Sequence, residues 1–352
     1  MNIESLQNKA KERTVRTQNI EYDLETLVKK ISKGVIKLNP EYQRKHRWED
    51  DVSSRLIESL ILNIPVPLIY ISQDIDVDDE IEDGIARYSV IDGQQRLTAI
   101  SNFFSNKYAL TGLTVLEELN DLHYKDLPPF LIRRLEERTL RCLRIDSTVD
   151  TQVKYDIFER LNSGSIKLEP QELRNAVCRG KFNDLTKELA QNDIYRELIN
   201  LTESREKKMY DQELILRYFA IAHNDGYKSY KGSFKNFLTE RMIHFNSLDS
   251  SELDEMKSSF TNIIVRINED FGTNPFSKFR FKDDAFERMS KFNAAVYDSV
   301  MYMYSNPAPG INLDYDQFMN LFKDESFFDA IEGSILDVSK LSYRLKAAKE
   351  LR

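Results

Sequence analysis

Residues 88–104 read YSVIDGQQRLTAISNFF. The stretch opens as a strand, with Tyr88, Val90 and Ile91 suited to a pleated, half-buried surface. It closes as a helix, because Leu97, Ile100, Phe103 and Phe104 recur at the helical period. Between the two stand Asp92, Gly93, Gln94, Gln95 and Arg96. A plain connection needs only a turn residue and a cap. This corner also presents an acid, two amides and a guanidinium.

Outward from the corner, the first part of the chain alternates short helices and strands. DLETLVKKISKG (23–34) predicts a helix with Leu24, Leu27, Val28 and Ile31 on one face, Asp23 as its cap and Gly34 as its stop. A polar loop (38–51) leads to a second amphipathic helix with Val52, Leu56, Ile57, Leu60 and Ile61 as its buried face. Pro65 and Pro67 end it. VPLIYIS and RYSVI then read as strands, separated by DIDVDDEIED, which holds seven acids in ten residues. That run suits a metal or partner site, and it suits a solvated hairpin loop better. LPPFLIRRLEE predicts a short helix and RTLRCLRID a strand. Beyond about residue 150 every segment follows the helical period, including DDAFERMSKFNAAVYDSVMYMY (283–304). The expectation is therefore an α+β domain over 1–148, with a small mixed sheet, followed by an all-α domain over 149–352, free of strands.

The chain has 352 residues, 41% of them hydrophobic, which is enough for two cores. Its net charge of −8 excludes a wholesale nucleic-acid coat, since phosphate binding relies on Lys and Arg. Residues 1–48 alone carry eleven Lys/Arg against six Asp/Glu, a local excess of five that a DNA-facing patch could use. Cys142 and Cys178 match no metal or redox spacing, which points to a reducing compartment. The N-terminal residues lack the apolar run of a signal peptide. The longest apolar run, LILNIPVPLIYI, is too short to span a bilayer. A soluble, cytoplasmic protein is expected.

The corner has the chemistry of a phosphate site. The first amides of a helix lack internal partners, and the helix dipole favours an anion there. Gly93 allows close approach and a positive φ. Arg96 in the first turn could point a charged fork at a phosphate. Gln94 and Gln95 can donate to phosphate oxygens or read a base or sugar, and Asp92 could cap the helix or hold a metal-bound water. The plainer alternative makes Asp92 a cap, Gly93 a tight turn and Arg96 a surface residue. Two further polar clusters add weight to the first reading. PEYQRKHRW (40–48) gathers Gln43, Arg44, Lys45, His46 and Arg47, though taken alone it suits a solvated loop better. YDIFERLNSGSIKLEPQELRN (155–175) carries Arg160, Asn162, Ser163, Gly164, Glu172, Arg174 and Asn175, of which Asn162, Ser163 and Gly164 equally suit a helix C-cap.

Taken in order, NPEYQRKHRW, VIDGQQRLTAISNFF and IFERLNSGSIKLEPQEL resemble the N-terminal domain of GmrSD-type modification-dependent restriction systems, over roughly residues 20–180. The resemblance implies a ParB/sulfiredoxin-like fold. It also implies a nucleoside triphosphate site, served by Mg²⁺, whose hydrolysis feeds or gates restriction of foreign DNA. Carried over position by position, Asp92, Gln95 and Arg96 would act on the phosphates, with Gly93 and Gln94 holding them. Gln43 and Arg44 would line the pocket, and Phe158, Arg160 and Asn162 would close it from the helical side. No metal ligand is assigned beyond Asp92 as the best single candidate. The His-rich nuclease motif of single-chain members is missing: His46, His123, His223 and His244 sit in no such pattern. RGKFND (179–184) fails as a P-loop at Phe182.

The leading expectation is a regulatory or sensor subunit of an anti-phage restriction system, a nucleoside triphosphatase that acts with DNA and a separately encoded nuclease. The alternatives are a DNA-binding adaptor with a nucleotide switch and no turnover, and, last, a ParB-like nuclease.

Overall fold

The structure is a computed structural model that describes residues 15–38, 48–74, 87–161, 168–272, 274–305 and 315–351. By contacts the chain divides into two compact units, 1–167 and 168–352. The sequence expectation placed the boundary at 148/149. The helix Thr151–Leu161 falls in the first unit.

The first unit contains strand β1 (Thr17–Asp23), helix α1 (Leu24–Ser32), β2 (Ile36–Lys37), α2 (Asp50–Ile61), β3 (Ile69–Gln73) and β4 (Tyr88–Asp92). It continues with α3 (Gln94–Phe104), α4 (Pro129–Glu136), β5 (Thr139–Ile145) and α5 (Thr151–Leu161). The five strands form one mixed sheet in the order β1-β5-β3-β4-β2. β1 runs antiparallel to β5 and β3 antiparallel to β4, while β3 with β5 and β2 with β4 are parallel. The three strands expected from PLIYIS, RYSVI and TLRCLRI are thus neighbours at its centre. β1 was not expected. Its sequence TQNIEYD has almost no apolar alternation, and it lies at the sheet edge with its first three residues exposed. Pairing with β5, with Ile20 opposite Cys142, makes it a strand.

α1 is capped as its sequence indicates: the Thr26 amide donates to Asp23 Oδ1 at 2.7 Å. Leu24 and Leu27 of α1, Ile57 and Leu60 of α2, Leu97, Ile100 and Phe103 of α3 and Leu135 of α4 join Ile69, Ile71, Val90, Leu140 and Cys142 in one core. Val52, expected on the buried face of α2, is 41% exposed instead. Ile91, Ile145, Tyr155 and Phe158 are buried outside that core. They belong to the opposite face of the sheet, as the period of two requires, and there α5 packs against β4.

The second unit holds α6 (Pro170–Val177), α7 (Lys181–Leu189), α8 (Asp193–Ile199), α9 (Glu203–Glu206), α10 (Tyr210–Ala222), α11 (Phe234–Asn246) and α12 (Ser250–Phe271). After strands β6 (Lys278–Lys282) and β7 (Ala285–Ser290) come α13 (Ala294–Tyr304), α14 (Tyr315–Asn320), α15 (Glu325–Ala330) and α16 (Val338–Lys349). The β6–β7 hairpin corrects the strand-free expectation. Asp283 and Asp284 both adopt left-handed φ, of 51° and 58°, which is the geometry a tight two-residue hairpin turn demands. Phe281 and Phe286 face each other across it, ring centroids 5.0 Å apart. The helical reading of 283–304 therefore holds only from Ala294, where Asn293 Oδ1 accepts from the Ala295 and Val296 amides.

α10 and α13 are buried on nearly every side, as expected of helices that are apolar all round. Between them lies a charged cluster. Arg217 donates to both oxygens of Asp298, and Arg344 Nη2 donates to Asp298 Oδ2 at 2.6 Å. Arg344 Nη1 also donates to the Ile335 carbonyl at 2.6 Å, and the Arg217 guanidinium lies 4.4 Å from the centre of the Phe234 ring. All three charged side chains are buried.

Candidate functional site

The corner is built by the end of β4 and the start of α3. Asp92 is the last strand residue, and Gly93 occupies the cap position with φ 98° and ψ 8°. The helix proper begins when the Leu97 amide donates to the Gly93 carbonyl at 2.9 Å. Just before the corner, the β3–β4 register shifts: Ile71 faces Val90, but Tyr70 faces Asp92. Ile91 is the extra residue. Such a bulge re-aims the side chains that follow it, and here those are the polar ones.

Gly93 is required for two reasons. Its left-handed φ is costly for any residue with a Cβ. A Cβ placed there would also collide with Ile69 Cδ1. Asp92 does not cap the helix. Its Oδ2 accepts from Arg96 Nη2 at 2.9 Å, and Arg96 Nη1 donates to the Pro67 carbonyl. Arg96 is only 12% exposed, whereas Asp92 is 47% exposed. Burial lowers the Arg96 pKa, and the Asp92 carboxylate opposes that shift. The nearby Cys142 thiol is pushed up to about 11, chiefly by burial, so it stays protonated and unreactive.

Arg96 is thus a latch between the lead-in to β3 and the β4–α3 corner. Arg96→Ala is expected to cost about 2 kcal/mol, the scale of charge-assisted hydrogen bonds. Arg96→Lys should restore part, since one ammonium cannot reach both acceptors in fork geometry. Urea denaturation of the three proteins checks this, and equal midpoints would reduce Arg96 to a surface residue.

The other expected residues divide as follows. Gln94 is half-buried, and its Nε2 is buried with no hydrogen-bond acceptor. Gln95 is half-buried in the same turn. Phe158 is buried on α5 and Arg160 is exposed on its last turn. Gln43, Arg44 and Asn162 lie outside the described residues, as does the acidic run after Asp74. Two residues that the sequence did not single out matter here. Pro67 supplies a carbonyl, which carries no sequence signal. Lys154 donates from Nζ to the Gln73 carbonyl at 3.3 Å and so ties α5 to the end of β3.

Among the described residues no three His, Cys, Asp or Glu side chains gather as a metal site. Mg²⁺ held by a nucleotide needs less, since it takes one or two carboxylates, phosphate oxygens and waters. Asp92, half-exposed with Oδ2 bonded to Arg96, fits that smaller demand. No helix among the described residues is long and apolar enough to cross a membrane.

Fold and corner together define an α+β domain, a mixed five-stranded sheet whose strand β4 turns through a left-handed glycine into a polar helix start. Residues 24–178 match the family model described as GmrSD restriction endonuclease, N-terminal domain. Residues 24–178 are thus an N-terminal domain of the kind found in GmrSD-type restriction systems. Comparison with curated proteins and with solved structures found no match.

Proposed function

We propose that the protein is a nucleotide-binding regulatory subunit of its restriction system, one that hydrolyses a nucleoside triphosphate with Mg²⁺ and acts with DNA and a separately encoded nuclease. The observation that carries this reading is the start of α3. It has a left-handed glycine, no acid in its first turn and no capping side chain, whereas α1 has both an acid in its first turn and a capping Asp23. Such an end favours an anion. In this reading the first-turn amides hold phosphate oxygens, and Gln94 Nε2 gains the acceptor it lacks. Asp92 holds a water of the metal, which offsets charge on the phosphates when bound. In this reading Phe158 and Arg160, on the α5 helix that packs against β4 and is tied to the end of β3 by Lys154, close the site.

One observation favours the second reading, a nucleotide switch without turnover. The Arg96 fork already has two protein acceptors, so it is not free to follow charge onto a transferring phosphoryl group. Calorimetric titration with a non-hydrolysable triphosphate and Mg²⁺, beside a phosphate-release assay, separates the two. Binding with release supports the triphosphatase, and binding alone supports the switch. No binding would defeat both. Gln94→Ala is expected to weaken binding about threefold to tenfold, the worth of one neutral hydrogen bond, without lowering the melting temperature.

A further inference from the structure

The second unit carries a cation with no counter-charge. Arg241 lies on α11, and its guanidinium stands 4.8 Å from the centre of the Phe245 ring. Gly226 is also close, since a Cβ added there would lie 3.0 Å from Nη2. Nη2 donates to the His223 carbonyl at 3.3 Å, a weak bond, and Nε is buried without an acceptor. Among the described residues no carboxylate pairs with it. Burial alone lowers its pKa, with no acid to oppose the shift. A half-buried guanidinium left in this condition is costly unless something else completes it.

Two further groups that can carry positive charge share the same ring. His223 meets Phe245 edge-on with centroids 5.4 Å apart, and His244 lies 5.7 Å away. His244 is exposed and His223 half-buried. The Asn224 amide, 3.1 Å from His223 Nε2, sits in a left-handed turn beside them. The acids in reach are already engaged. Asp225 accepts from Lys228 and from the Tyr302 hydroxyl, each at 2.7 Å, and Glu252 accepts from the Asp249 amide at 3.1 Å.

We propose that Arg241, His223 and His244 form a phosphate-binding site on the helical unit, and that its occupant is the backbone of DNA. A phosphodiester oxygen would accept from the accessible edge of the half-buried Arg241 guanidinium, since Nε itself is buried out of reach. An imidazole on either side donates to the same group, and the short Asn224 side chain can add one more bond. The site reads no sequence, because phosphate contacts position a protein without specifying bases. Arg241 carries the fixed charge of the site, while burial and the neighbouring Arg241 and His244 lower the His223 pKa, so His223 contributes as a hydrogen-bond donor. The site lies within the second unit, rests on the proposed action with DNA, and needs no nucleotide at the β4–α3 corner.

The test uses the full chain, without nucleotide, and a short fluorescein-labelled duplex, with anisotropy read between about 50 and 200 mM salt. Arg241→Gln is expected to raise Kd about tenfold and to reduce the slope of log K against log salt by about one. Arg241→Lys should keep most of the slope, and His244→Glu should weaken binding severalfold. A merely structural Arg241 would move the melting temperature but not the salt slope. An Arg241→Gln protein that folds and keeps both Kd and slope would overturn the site. If that variant does not fold, the exposed His244→Glu variant decides, and unchanged binding there overturns the site equally. Inorganic phosphate at matched ionic strength is the second arm. If it stabilises the wild type but not the variant while duplex binding is equal in both, the assignment to DNA is overturned in favour of a free phosphate.

Discussion

The Asp298→Asn variant is expected to lose about 3–5 kcal/mol of stability and to lose its cooperative melting transition near the wild-type temperature. Among the described residues Asp298 is the only carboxylate that bonds Arg217 or Arg344, and it accepts from both guanidiniums with its side chain fully buried. Arginine does not shed its proton in a protein. Asparagine therefore leaves two buried cations facing a neutral amide, and removing one partner of a buried ion pair costs on this scale. The two cations feel the same carboxylate differently. Asp298 outweighs burial and holds the Arg217 pKa above its usual value, whereas burial dominates at Arg344 and lowers it. Arg217 should accordingly be the tighter partner, so Arg344→Met should cost less than Asp298→Asn because it removes one cation and its desolvation together. Differential scanning calorimetry of both variants checks the order. An Asp298→Asn protein that melts within about 2 °C of the wild type would show that the cluster contributes little.

Gly93→Ala is expected to cost about 2–5 kcal/mol and, on the proposed nucleotide reading, to abolish triphosphate binding. Two penalties combine. A left-handed φ costs an L-residue about 1–2 kcal/mol, and overpacking against Ile69 costs about 1–3 kcal/mol. They can be separated. Ile69→Val removes Cδ1, the atom in the way, at a cost of its own of about 0.5–1.5 kcal/mol. The double variant should then be more stable than the sum of the two single losses predicts, by roughly the packing share. Urea midpoints for all four proteins measure this coupling. Strict additivity would show that the Ile69 contact is relieved by rotation of that side chain and that only the φ penalty remains.

How much of this was legible in advance varies by element. The corner itself could be read directly, because β-branched spacing turns into helical spacing within one polar run and only glycine suits the join. The cap of α1 and the three central strands were equally plain, since local chemistry and a buried face specify them. β1 was not legible, because an edge strand that buries little carries little alternation and exists through its partner β5. The β6–β7 hairpin was passed over because its turn is Asp283–Asp284, without the glycine that marks such turns, and its neighbours also fit a helical period.

The sequence by itself determined the type of each unit, the polar strand–glycine–helix join and the family of residues 24–178. These rest on periodicity and on short motifs, which are properties of neighbours along the chain. Only the tertiary structure decided what the charged side chains do. Arg96 looks like a free fork in the motif, but it is held by Asp92 and by a carbonyl 29 residues away. Arg217, Asp298 and Arg344 are spread over well over a hundred positions and meet in one buried cluster. Arg241 meanwhile is left without a carboxylate on a unit that, by sequence, seemed only helical. The physical reason is the same in each case. Coulomb and hydrogen-bond energies depend on distance and burial in space, and those are fixed by packing between elements, not by the order of residues along the chain.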